Sequence, residues 1–186
     1  MPLTAAAGCI SLPEEILRAS LADCYYFRRW QGAAWSQAEA LARIYPDALP
    51  PPTADGFTLA ELTALRPFVL LWTEPQAGFR LHHDSSGSDF FYNHSGKLSL
   101  LFEQAVPDAI KDDPAEVDRR FKNEVGLMIC SRDGDKPGLC ELSGQGGYLA
   151  IEELVAYGPF RSAQDDLATD GDTQQFLVEI KWGQNA

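Results

Sequence analysis

The stretch Gln175-Phe176-Leu177-Val178-Glu179-Ile180-Lys181-Trp182-Gly183 decides how the chain folds. Phe176, Val178, Ile180 and Trp182 fall on one side of a two-residue repeat, and Gln175, Leu177, Glu179 and Lys181 on the other. That period belongs to a strand with one face against a core. Working upstream, Leu149 and Ile151 begin a second strand that runs towards Tyr157 and is broken by Gly158-Pro159. Before it, Asp113, Pro114 and Glu116 give the cap, first-turn proline and third-position acid of a helix. Its apolar stripe is Val117, Phe121, Val125, Met128 and Ile129, and it ends before Gly134.

Further upstream the two-residue period returns. Phe68 to Trp72 is an apolar run that predicts a buried strand. Phe79, Leu81 and His83 alternate with Arg80, His82 and Asp84; Phe90 to Tyr92 predicts a short strand. Ser95-Gly96 punctuates, and Leu98, Leu100 and Phe102 then alternate with Ser99, Leu101 and Glu103. The segments between the helices read as an antiparallel meander.

The N-terminal third is helical in pattern. Ser11 with Glu14, Ser36 with Glu39 and Thr58 with Glu61 are capping-box pairs. They predict a helix over 12–30, a second that runs until Pro46, and a third that stops at Arg66 before Pro67. Pro50-Pro51-Pro52 is a stiff extended connector. Helices, then strands, one long helix and two more strands indicate an α+β fold, with an antiparallel sheet (a meander plus two C-terminal strands) packed against helices. The reading is one domain, 1–186, with a helical segment 11–66 and the sheet and long helix in 67–183.

Composition narrows the function. Fifteen basic residues face 27 acidic ones, for a net charge of −12. Tight binding to a nucleic-acid backbone or an anionic membrane needs the opposite balance. The first ten residues lack a basic n-region, and the apolar runs are too short for a bilayer, so the sequence predicts neither a secretory signal nor a membrane span. Cys9, Cys24, Cys130 and Cys140 form no C-x-x-C pair, which argues against a zinc ribbon or a thioredoxin-like motif.

Residues that carry chemistry are sparse. His82 and His83 are strand neighbours on opposite faces, and His94 reads as a loop residue within reach of either; with Asp84 they are the candidates for a small metal-dependent hydrolase. Asp133-Gly-Asp135 and Asp170-Gly-Asp172 lack the later ligands of a calcium loop and read as turns. The glycine-rich run 143–147 lacks the lysine and following helix of a phosphate loop. There is no G-x-S-x-G elbow. The expectation is therefore no enzyme, no catalytic or metal site and no cofactor. Tyr25, Tyr26, Phe27, Trp30 and Trp35 surround Arg28 and Arg29. Aromatic and arginine residues are enriched at interfaces, so Tyr26, Arg28, Arg29 and Trp30 are candidate interface residues. Asp84, Asp89, Asp165, Asp166 and Asp170 join them, from polar segments 84–95 and 164–172.

Four stretches carry a family resemblance: Leu65-Arg66-Pro67-Phe68-Val69-Leu70 behind the N-terminal helix; Ser95-Gly96-Lys97-Leu98-Ser99-Leu100-Leu101-Phe102; Gly147-Tyr148-Leu149-Ala150-Ile151 with Tyr157-Gly158-Pro159; and the closing strand. With the order of elements, they resemble the tail-terminator and tail-completion proteins of long-tailed bacteriophages and prophages. The resemblance implies an α+β subunit that closes into a ring, usually a hexamer, caps the tail tube and helps join head to tail. Its partners would be copies of itself and tail-tube or head-completion proteins, in the host bacterial cytoplasm during assembly and then in the virion tail. DNA would pass a negative lumen without binding tightly, and segments 84–95 and 164–172 would be interface or lumen loops. Alternatives are a tube or head–tail joining subunit, the hydrolase above, or a plain binding module.

Overall fold

Alternation in the closing stretch becomes a strand, β8 (Thr173–Asn185), whose Phe176, Val178, Ile180 and Trp182 are all buried. The computed structural model describes residues 12–52, 56, 58–73, 78–83, 90–139, 150–161 and 173–185. In chain order the remaining elements are α1 (Leu12–Asp23), a 3-10 segment (Phe27–Gly32), α2 (Gln37–Leu41), β1 (Ile44–Pro46) and α3 (Leu59–Leu65). They continue with β2 (Phe68–Thr73), β3 (Gly78–His83), β4 (Phe90–Ala105) and α4 (Pro114–Cys130). A short hairpin, β5 (Arg132–Asp133) and β6 (Lys136–Pro137), and the strand β7 (Ala150–Arg161) precede β8.

The fold is α+β, and its sheet is mixed. The order is β1-β2-β4-β8-β7, with β3 also paired to β4. All pairings in it are antiparallel except β1 with β2. The closing strand is thus interior, between β4 and β7, rather than an addition at the sheet's end. It runs beside β4 from Asn93↔Asn185 to Ala105↔Thr173. On the other edge of β4, β2 and β3 lie end to end, against Leu98–Glu103 and Phe90–Ser95 respectively.

β4 corrects the expected break at Ser95-Gly96, because it passes through both residues. Gly96 pairs with Trp182, and a Cβ at Gly96 would lie 3.0 Å from the indole Cζ2. The glycine makes room for a ring. It does not end a strand. Gly158-Pro159 likewise shifts the register between Tyr157 and Phe160 without ending β7, with Gly158 at φ 120°.

The core lies on one face of the sheet. Val69, Leu71, Leu98, Leu100, Phe102, Val178 and Ile180 meet Leu17 and Leu21 of α1 and Phe121, Val125 and Met128 of α4 in one buried cluster. Each such side chain contributes about 1.5–3 kcal/mol by leaving water. The cluster runs from Leu17 to Trp182, so the N-terminal helices and the sheet share a core.

Helix boundaries follow local signals where these were strong. Asp113 accepts from the Glu116 backbone N–H, and all five residues of the predicted α4 stripe are buried. The capping boxes at Ser36 and Thr58 both form, and α3 stops at Leu65. Two expectations fail. The first helix ends at Asp23, not near Trp30, because the chain turns to send Phe27 and Trp30 into the core. The second ends at Leu41, and Ile44–Pro46 becomes β1, since Ile44 is fully buried beside Val69. Ser11 lies outside the described residues; its expected capping partner Glu14 is buried and accepts a hydrogen bond from the Thr73 hydroxyl.

Candidate functional site

The aromatic and basic cluster that follows α1 is divided between core and surface. Phe27 and Trp30 are buried, with ring centroids 5.8 Å apart, and Trp30 meets Phe102 edge-on at 5.7 Å. Trp30, 1% exposed, is therefore removed from the candidate interface. Its large apolar ring fills the gap between the 3-10 segment and β4, which outweighs any surface role in the unbound chain. Tyr26 is partly buried against the same core. Arg28 is half-buried and donates from Nε to the Trp35 carbonyl at 3.1 Å. Arg29 alone of the four is exposed, with its guanidinium 4.1 Å from the centre of the Tyr25 ring. Lys136 Nζ stands 5.1 Å from that ring. Asp84, Asp89, Asp165, Asp166 and Asp170 lie outside the described residues, as do segments 84–89 and 164–172.

The histidines are set apart by register. His94 lies within β4 rather than in a loop, because both β3 and β8 pair with it there; it is the ladder partner of Phe79, while His82 and His83 pair with Phe91 and Phe90. His94 is thus three rungs from His82 and four from His83, roughly 10–13 Å along the strand. Asp84 is outside the described residues. Among the described residues no three His, Cys, Asp or Glu side chains group as metal ligands do. Asp133 belongs to the β5–β6 hairpin, where its carboxylate is 3.6 Å from Lys136. Cys24 is buried, its thiol pushed up by desolvation, and Cys130 is exposed.

A cavity of about 290 Å³ opens between the 3-10 segment, the end of β4 and α4. The chain reaches it through a left-handed residue, Gln31 (φ 54°, ψ 34°), a conformation that costs a non-glycine residue about 1–2 kcal/mol. The Gln31 side-chain amide donates to the Ala105 carbonyl and ties this turn to the strand end. Gln104 forms part of the lining, is 4% exposed, and accepts the Trp30 indole N–H at 2.6 Å. Gln174, its partner on β8, is also buried; its Nε2 donates to Asp118 at 3.1 Å and its Oε1 has no partner among the described residues. Glu124 of α4 faces the cavity beside the Trp30 indole and the Gln31 backbone, and desolvation raises its carboxyl above the usual range. Arg120 at the rim is held by Glu116 at 2.6 Å.

Sequence reasoning passed over this cavity. Its one signal was the alternation Leu98, Leu100, Phe102, whose next inward position is Gln104. A carboxamide at a core position requires a partner.

The sheet's second face is different in character. Leu70, Trp72, Leu101 and Leu177 are only half-buried, and Tyr157 is 42% exposed. Beside them Lys97, Glu153, Val155, Tyr157, Glu179 and Lys181 line a crevice of about 150 Å³. Tyr157 donates to Glu179 at 3.3 Å, and the Glu179 charge pushes the phenol up. Lys181 pairs with Glu152 at 3.2 Å. At the far end the ion pair Arg66–Glu103, 2.8 Å, is buried, with Gln175 donating to the second carboxylate oxygen at 3.0 Å.

No protein-family model matches the chain, and comparison with curated proteins gives no match. Among the described residues no helix is long and apolar enough to cross a membrane.

Proposed function

We infer that the chain is a structural subunit of a phage or prophage tail, which closes with copies of itself into a ring, caps the tail tube and helps join head to tail. One observation supports this reading above the others: the second face of the sheet. Leu70, Trp72, Leu101 and Leu177 stay half-buried there, while Val69, Leu71, Leu98, Leu100, Phe102, Val178 and Ile180 on the opposite side of the same strands are fully buried. Contiguous partly exposed apolar surface rimmed by charge is what an association surface looks like. β7, which carries part of this face, also ends the sheet among the described residues. Such an edge accepts a neighbour's backbone. A net charge of −12 suits a lumen that DNA crosses without sticking. This role requires no catalysis, cofactor or metal.

Light scattering across a concentration series tests the reading. The expected result is a closed species of about six subunits, formed by heterologous contacts that complete a rotation, either alone or on addition of tail-tube subunits. Open-ended fibres would move the assignment to a tube subunit. A strict monomer that also fails to co-sediment with tail tubes would overturn it.

A further inference from the structure

The cavity behind the 3-10 segment holds a polar group that the protein leaves half used. Gln104 is buried and spends one prong of its carboxamide on the Trp30 indole at 2.6 Å. An indole N–H only donates, so the prong facing it is oxygen and the other is the NH2. That NH2 has no acceptor among the described residues, and Gln104 forms part of the cavity lining. The NH2 is thus left to the solvent of the cavity, where a ligand carbonyl can replace water as its acceptor. The Glu124 carboxyl, beside the same Trp30 indole, lines the same space, and Val106, Pro107, Ile110 and Val117 supply an apolar wall. Convergent polar groups on an apolar wall are the usual make-up of a small-molecule site.

We propose that this cavity binds a small neutral ligand carrying a carboxamide, or the equivalent lactam edge, on an apolar ring. The ligand carbonyl accepts from Gln104 Nε2, its N–H donates to the Glu124 carboxyl, and the ring lies on the apolar wall. The volume, about 290 Å³, suits one ring with one amide rather than a dinucleotide. A carboxylate ligand is disfavoured, because the lining cation, Arg120, is held by Glu116 outside the cavity and the lining acid is Glu124. A cationic ligand is disfavoured because burial holds Glu124 towards its neutral form. The site is independent of the sheet face used for association, and the inference stands whether or not the chain forms a ring.

The test is titration of the ¹⁵N-labelled protein with benzamide, read at the Trp30 indole N–H resonance, which Trp30→Phe identifies by its loss. Benzamide is expected to move that resonance saturably, with toluene and benzoate at least about tenfold weaker, the worth of one good hydrogen bond. Gln104→Glu keeps an oxygen for Trp30 and removes the NH2; it should weaken benzamide by about tenfold. Because Gln104 is buried, Glu124→Leu gives a second reading at a half-buried position, with a loss of similar size. No saturable shift, equal binding of toluene, or unchanged binding in both variants would each overturn the proposal.

Discussion

Trp182 packs its indole against Gly96 on the adjacent strand, leaving 3.0 Å to the place where a Cβ would stand. Both residues are buried, and the pair sits where β4 passes from its partner β3 to its partner β2. An alanine at residue 96 forces the ring to shift by a few tenths of an ångström. Gly96→Ala should cost about 1–3 kcal/mol, and Gly96→Val more, measured as a lower denaturant midpoint. Gly96→Ala combined with Trp182→Phe should recover part of that loss. Full tolerance of Gly96→Ala would show that the indole has room to move.

Arg66 and Glu103 form a buried ion pair, at 2.8 Å, that joins the residue after α3 to β4. Removing one partner strands a charge. Arg66→Met should destabilise by about 3–5 kcal/mol, whereas Arg66→Met with Glu103→Leu should come close to neutral. Chemical denaturation of the two variants decides the matter, and equal losses would mean that the pair is solvated.

Glu124 has a carboxyl raised by burial. A raised folded-state pKa means that the folded chain prefers the protonated form. Its stabilising effect is complete below the usual carboxylate range and is lost as pH rises through the raised value. Glu124→Gln should therefore raise the melting temperature at neutral pH and have little effect near pH 4, where Glu124 is already largely protonated. Glu116 behaves in the opposite sense. Arg119 and Arg120 hold it down at about 2, so its contribution is present at neutral pH and fades as pH falls towards that value. Melting curves across this range check both signs. A Glu124→Gln benefit greatest in acid would contradict the assignment.

Leu101 and Leu177 are ladder partners on the second face of the sheet, each half-buried. A glutamate at either half-buried position reaches solvent in the single chain, and would lose it where this face meets another subunit. Leu101→Glu and Leu177→Glu should leave the melting temperature within a few degrees of the parent, and should abolish any higher-mass species in sedimentation. A variant that still assembles would move the association surface elsewhere.

Local signals in the sequence hold where the interacting residues are covalently near. The capping boxes at Ser36 and Thr58, the Asp113 cap and the α4 stripe depend on residues three or four apart, and each stands where the sequence put it. Failures came where distant partners intervened. Trp30 carries the marks of a surface anchor in sequence, yet Phe102 and Gln104, more than seventy residues away, draw it inside. Three residues, Ile44–Pro46, are too short to show a period, and only the neighbouring β2 makes them a strand. The cavity was illegible for the same reason, since its lining is gathered from the 3-10 segment, β4 and α4.

By itself, then, the sequence determined the period of each long element and which residues of β8 and α4 face a core. Side-chain alternation and helix caps are short-range physics, and they are written into neighbouring residues. Tertiary structure alone decided that β8 lies beside β4, that Gly96 sits beneath Trp182, and that Gln104 accepts from Trp30 while lining a cavity. Those outcomes depend on which distant surfaces exclude water together, and no local pattern encodes that pairing.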